Sequence, residues 1–300
     1  MDDAERRAIE AELTPPFSVL LPQRVRVPFV FCSPHSGRVY PKSFLEASRL
    51  DARTLRKSED CYVDELFAGA VSLGAPLIAA RFPRAYVDLN REPYELDPEL
   101  FAEPLPAFAN TQSIRVIGGL GTIARVVSET EEIYREKLTV AAALERIERL
   151  YKPYHAALAR LLDDARRQFG IAVLIDCHSM PSTSAGQPSG ARPEFVLGDR
   201  FGVSCDGRLT RCVQELLIAA GYTVQINRPY AGGFITEHYG RPARGFHALQ
   251  VEVNRSLYMN EGTLEPGARF AALRKDLTRI LSRLAQELPS LLPGGRAAAE

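Results

Sequence analysis

Two histidines close short apolar runs, in Val27-Pro-Phe-Val-Phe-Cys-Ser-Pro-His35-Ser-Gly37 and in Ile171-Ala-Val-Leu-Ile-Asp-Cys-His178-Ser-Met-Pro181. Runs of this kind read as buried parallel strands, and open α/β sheets place ligands at the carboxyl ends of such strands. Two imidazoles there supply two nitrogen donors on rigid backbone, which points to a metal site. A catalytic zinc commonly takes two histidines and one carboxylate and keeps a position open for water. The carboxylates that follow His35 are Glu59, Asp60 and Asp64. Asp60 stands at a predicted helix start, where negative charge is favoured, so it is the first choice and Glu59 the second. A plain capping role for Ser58 and Asp60 explains the same residues.

Other polar residues sit on similar run ends. Asp88-Leu-Asn90-Arg91 ends a strand-like stretch. Asp88 can orient a metal-bound histidine through its second ring nitrogen, and Asn90 with Arg91 can hold a carboxylate. A capped turn with a salt bridge is the alternative. Gln250, Glu252 and Asn254 alternate along a strand and share one face. An acid so placed is either paired in the core or a general base for metal-bound water. Arg255 closes the site or pairs with an acid. The glycine-containing segment 229–242 reads as a lid carrying His238, a candidate third ligand or transition-state donor, with a solvated loop histidine as the alternative. His155 reads as structural, and His247 is ambiguous.

Two motifs lead elsewhere. Gly119-Leu-Gly121-Thr-Ile-Ala124 fits G-x-G-x-x-A, but no helix start follows and no second β unit arrives, which argues against a dinucleotide fold. Ser36 and Ser179 follow histidines without lying in G-x-S-x-G.

The elements that must position these groups alternate. Expected strands are 27–33, 76–80, 85–89, 171–177, 194–198, 222–226 and 247–253, with β-rich stretches at 114–119 and 122–127. Expected helices are 4–13, 60–73, 207–220 and 264–288, plus a helical region at 129–169 that divides near Lys152-Pro153. Residues 92–112 and 181–193 read as long loops. This order gives an α/β sandwich with a mixed sheet and no interdomain linker, so residues 1–300 are read as one domain, with a core at about 27–288 and a frayed tail at 293–300.

Three hundred residues at 46% hydrophobic composition can bury a full core, and 37 basic against 37 acidic residues give no net charge. That balance argues against nucleic acid, and no apolar stretch is long enough for a membrane span. Five cysteines without a C-x-x-C pair argue against a disulfide framework, and the charged N-terminus argues against a secretory signal, so a cytoplasmic location is expected.

The chain resembles the N-formylglutamate amidohydrolase family. The resemblance rests on Ser33-Pro-His-Ser-Gly-Arg-Val-Tyr-Pro41, Glu59-Asp-Cys-Tyr-Val-Asp-Glu-Leu66, Arg84-Ala-Tyr-Val-Asp-Leu-Asn-Arg91, Asp176-Cys-His-Ser-Met-Pro181, Gly232-Gly-Phe-Ile-Thr-Glu-His-Tyr-Gly240 and His247-Ala-Leu-Gln-Val-Glu-Val-Asn-Arg-Ser-Leu-Tyr-Met259. It implies a three-layer α/β sandwich of the zinc carboxypeptidase or phosphorylase/hydrolase-like kind, with a mixed, mostly parallel sheet flanked by helices. It further implies one Zn2+ per chain, or another divalent transition metal, on His35, His178 and, by position, Asp60. The reaction implied is hydrolysis of N-formyl-L-glutamate, a dianionic small molecule, to formate and glutamate. Glu252 would be the general base, Asn90 and Arg91 would bind the α-carboxylate, and Arg84 or His238 would stabilise the oxyanion. Arg255 or Arg241 would meet the second carboxylate. In zinc carboxypeptidases the acid follows the first histidine by three residues; here that position is Arg38, which leaves Asp60 against Glu59 open. A related zinc amidohydrolase or peptidase acting on another N-acyl amino acid or cell-wall peptide shares every motif. A non-catalytic zinc or ligand-binding module does not require Glu252.

Overall fold

A computed structural model describes residues 2–127, 131–182 and 193–292. The expected tail at 293–300 and most of the loop 181–193 lie outside the described residues. The chain divides into two compact units. Unit 1 joins Met1–Ser18, Pro34–Glu59 and Ala79–Ala157, and unit 2 joins Val19–Ser33, Asp60–Ile78 and Leu158–Glu300.

The strands are β1 (Phe17–Leu20), β2 (Phe29–Ser33), β3 (Leu77–Ala80), β4 (Ala172–Met180), β5 (Phe195–Gly198), β6 (Val224–Ile226) and β7 (Phe246–Asn254). They form a seven-stranded sheet in the order β1-β3-β2-β4-β7-β5-β6. β4 runs parallel to β2 and β7, and β5 runs parallel to β6 but antiparallel to β7. The sheet is therefore mixed, mostly parallel and flanked by helices, as expected. All nine residues of β4 are buried, which is why its sequence reads as a continuous apolar run broken only by Asp176, His178 and Ser179.

In unit 2 the helices Gly207–Ala219 and Phe270–Leu291 pack on each other. Each lays a stripe of leucine and its neighbours inward, Leu209, Val213 and Leu216 on one, Leu273, Leu277 and Leu284 on the other. The helix expected at 60–73 is instead two short ones, Val63–Leu66 and Gly69–Ser72. Tyr62, in the left-handed region at φ 63°, sets the start of the first, so Asp60 precedes the helix rather than capping it. A Cβ on Gly69 would lie 2.1 Å from Oγ1 of Thr278, so glycine lets Gly69–Ser72 approach the helix Phe270–Leu291. The expected lid at 229–242 contains a helix, Phe234–Tyr239, and runs into a 3-10 turn, Pro242–Arg244.

Unit 1 has little regular structure beyond its helices. Its first helix, Asp3–Glu12, is capped by Asp2 and tied down by Glu5, which accepts from the buried Arg146 at 2.7 Å. The Arg146 guanidinium lies 4.0 Å from the Tyr86 ring centroid, and Tyr86 packs on Phe44. The long helical region starts only at Val140, capped by Thr139, and widens into a π turn at Ile147–Tyr151 before Lys152–Phe169. Pro153 lacks an N–H and its ring crowds the carbonyl four residues back, which accounts for the wide turn just ahead of it. Three expected β segments are absent. Ile114–Ile117 forms one helical turn because the Ser113 side chain accepts the N–H of Val116. Residues 122–127 make a single bridge, Val126 to Glu132. Residues 85–89 form turns, since Tyr86 N–H goes to Pro83 O and Asn90 N–H to the Asp88 side chain instead of to a ladder.

Candidate metal centre

Strand alternation and register set the site in unit 2. Asp176 and His178 are two apart on β4, and Gln250 and Glu252 are their register partners on β7, so all four share one face of the sheet. Cys32 on β2 is the register partner of Asp176. The ring of His178 is held at both ends. Nε2 lies 2.9 Å from Oδ1 of Asp176, and Nδ1 lies 3.0 Å from Oδ2 of Asp60. The other oxygen of Asp60 accepts from Arg255 at 3.2 Å and lies 3.5 Å from Oγ of Ser179. Arg255 also donates to Ser179, at 3.2 Å. Gln250 donates to Oε1 of Glu252 at 2.9 Å and accepts the N–H of Gly233, which fixes one oxygen of that carboxylate.

Charge in this region is dominated by acids. Asp60, Asp176 and Glu252 are buried with one arginine, Arg255. Burial opposes a charged imidazole, yet Asp176 first, then Asp60 and Glu252, raise His178 well above its usual value.

Unit 1 holds the other histidine. Nε2 of His35 lies 2.7 Å from Oδ1 of Asp88, which also accepts the N–H of Asn90 at 2.8 Å. Arg84 donates to Oδ2 at 2.7 Å, and Arg91 approaches the same oxygen at 3.6 Å. Burial alone would push the Asp88 carboxyl up, but Arg84, Arg91 and His35 together hold it well below the usual carboxylate range. Arg91 is itself anchored, with Nε on Leu120 O and one terminal nitrogen on Asn90 O. Glu59 is buried and engaged by Tyr40 at 2.6 Å and Arg56 at 3.1 Å.

One ligand atom from each of His35, Asp60 and His178 lies within 4.8 Å of the others, and all three residues are buried. Two imidazoles and a carboxylate make a donor set suited to a divalent transition ion with an open position. Nε2 of each ring faces an aspartate, and Nδ1 of His178 lies 3.0 Å from Oδ2 of Asp60, so a metal shared with Asp60 would be met by Nδ1 of His178. The excess of buried acid around His178 fits such an ion as well. These three residues could hold a metal.

The remaining expected site residues are placed as follows. Glu252 lies in register beside His178. Asn90, Arg91 and Arg84 surround Asp88, as described. Arg255 is buried on Asp60 rather than exposed to solvent. His238 is exposed on its helix, stacked on Phe234 with centroids 4.9 Å apart and edge-on to Tyr239. His155 bonds Leu89 O, and His247 accepts the N–H of Asp206. Asp176 and Cys32 are site residues beyond those expected from the sequence. The D-x-H spacing on a strand was the available signal, since it puts acid and imidazole on one face. All five cysteines are free and buried, and no helix among the described residues is long and apolar enough to cross a membrane.

Comparison with known proteins places the chain. It is 33% identical over 266 residues to an N-formylglutamate deformylase of Pseudomonas putida, covering 88% of this chain and 92% of that one. It is 32% identical over 283 residues to an N-formylglutamate deformylase of Pseudomonas aeruginosa, covering 93% and 97%. The crystal structure of N-formylglutamate amidohydrolase from Ralstonia eutropha JMP134 superposes with a TM-score of 0.87 at 38% identity, over 92% of this chain and 99% of that one. Residues 27–259 match the family described as N-formylglutamate amidohydrolase, and the chain belongs to that family of amide-bond hydrolases.

Proposed function

We infer that this chain hydrolyses the amide of an N-acyl acidic amino acid, N-formyl-L-glutamate above all, releasing formate and L-glutamate. The observation that carries this reading is the buried grouping of His35, Asp60 and His178, in a chain of this family with Glu252 in register beside His178. Zinc, or another divalent transition ion, held by those three side chains would supply Lewis acidity at the formyl oxygen and lower the pKa of water there.

The chain's own residues do the rest. Glu252 takes a proton from the attacking water and returns it to the nitrogen of the leaving amine as the C–N bond breaks. Gln250 keeps one oxygen of that carboxylate fixed, so the base meets the water in one orientation. Asn90 and Arg91 bind the α-carboxylate, and the anchoring of Arg91 through Leu120 O and Asn90 O pre-orders its guanidinium. Arg84, whose side chain is a quarter exposed, stabilises the developing oxyanion. Arg255 holds Asp60 in place rather than touching substrate, and Asp88 orients His35. The exposed His238 takes a supporting part in binding. An excess of arginine over lysine beside these motifs suits a dianionic substrate.

The test is kcat/KM across N-formyl-L-glutamate, N-formyl-L-aspartate, N-acetyl-L-glutamate and N-formylglycine, using zinc-loaded protein. N-formyl-L-glutamate should lead the series. Equal rates for N-acetyl-L-glutamate would sink the formyl preference, and equal rates for N-formylglycine would sink the second carboxylate.

A further inference from the structure

Asp176 is fully buried, and among the described residues its hydrogen-bond partners are one thiol and one imidazole. Its Oδ1 accepts from Sγ of Cys32 at 3.2 Å and from Nε2 of His178 at 2.9 Å. Its Oδ2 has no hydrogen-bond partner among the described residues. A carboxylate in such a place is costly unless positive charge lies close by, because the interior stabilises it far less than water does. Among the described residues no lysine or arginine pairs with it. The positive charge it can face is on the ring of His178 or on an ion bound to that ring.

We propose that Asp176 is a positioning residue of the metal centre, with Cys32 holding it in turn. Taking the Nε2–H of His178 fixes the ring's tautomer and rotation, so that Nδ1 is the ligating nitrogen. Its negative charge, conducted through the ring, makes Nδ1 a stronger donor. The strands build this in three steps. Two-residue spacing on β4 aims Asp176 and His178 to the same side, β2–β4 register brings Cys32 to the same level, and the thiol hydrogen bond stops the carboxylate from rotating away.

The proposal rests on the reading of His35, Asp60 and His178 as metal ligands, and one experiment separates the two. Zinc affinity is measured by competition with a chelating indicator for wild-type, Asp176→Asn and Cys32→Ala proteins, with the melting temperature of each metal-free protein alongside. Asp176→Asn keeps the acceptor oxygen and removes the charge. Its affinity should fall roughly 10- to 100-fold, the usual cost of losing such a partner, with the metal-free protein still folded. Cys32→Ala leaves the carboxylate and removes a weak donor, so a loss of about two- to fivefold is expected.

Wild-type protein that binds no zinc would sink the metal reading and this proposal with it. Wild-type binding with unchanged affinity in Asp176→Asn would overturn the proposal alone. A drop in melting temperature with unchanged affinity would also overturn it, since Asp176 would then serve packing. If Asp176→Asn does not fold, Cys32→Ala decides, with unchanged affinity overturning the proposal.

Discussion

Around His35, the aspartate that takes Nε2–H is Asp88, and two arginines bracket it; around His178, the equivalent aspartate is Asp176, with a thiol beside it and two more acids near the ring. The geometry at the two rings is alike, with ring nitrogen to carboxylate distances of 2.7 and 2.9 Å. The charge is opposite. The His35 region carries its own cations and is neutralised by the protein. The His178 region holds three buried acids against Arg255, and its balance waits on a proton or an ion. One histidine is set in a finished scaffold, and the other in a scaffold completed by what binds.

The largest expected effect tests the acid that this contrast leaves for chemistry. Glu252→Gln should retain bound metal and lose about 10²- to 10⁴-fold in kcat, as expected when a general base is removed. Undiminished turnover would make Glu252 one more structural acid of the His178 region.

Removing the metal should weaken the fold of the His178 region first. At a metal concentration about 1,000 times Kd, binding contributes about 4 kcal/mol, so chelation should lower the melting temperature by several degrees. Hydrogen exchange should then rise in β4 and β7 more than around Asp88. Equal loosening in both regions would break the contrast.

Asp88→Asn sharpens it from the other side. It leaves the arginines without their acid, and about 3 kcal/mol of stability should be lost from the metal-free protein, the low end for breaking a buried pair because Arg84 is partly exposed. Urea denaturation measures this directly. A metal-free Asp88→Asn protein as stable as wild type would show that Arg84 and Arg91 do not depend on that carboxylate.

The two regions should also respond to pH in opposite directions. The depressed Asp88 carboxyl contributes stability that is present above its unfolded value near 4 and is lost as acid carries the pH down through the folded value. The raised His178 contributes stability to the metal-free protein that is full below about 6.5 and is lost as the pH climbs through its folded value. Metal-free protein should therefore melt at progressively lower temperature on the alkaline side. Zinc-loaded protein should hold its melting temperature there, because the metal takes the place of the proton. Identical pH profiles with and without metal would contradict this.

The smallest effect is at Arg91. Arg91→Ala should raise KM by about tenfold, the loss of one charge-assisted interaction, with kcat changed little. If neither constant moves, Arg91 belongs wholly to the Asp88 cluster.

The parts of this arrangement that were legible in the sequence are those fixed by short-range pattern. β2, β4 and β7 follow from apolar runs, and both histidines follow from where those runs end. The stretch 85–89 reads as a strand from its apolar Ala-Tyr-Val run, but the Asp88 side chain captures the N–H of Asn90 and bends the chain into turns. The helix expected to begin at Asp60 begins only after Tyr62, whose left-handed backbone has no mark in residue type. Arg255 could not be assigned from sequence, because its bond to Asp60 joins positions 195 apart. Asp176 was readable from the two-residue spacing alone. Its partner Cys32 was not, since strand register lies outside any one segment.

The most direct measurement is formate release from N-formyl-L-glutamate by the zinc-loaded protein, beside the same protein stripped by chelator. The account predicts rapid formation of formate and glutamate in equal amounts, lost on stripping and restored by zinc. Well-folded, zinc-containing protein that releases no formate would contradict it.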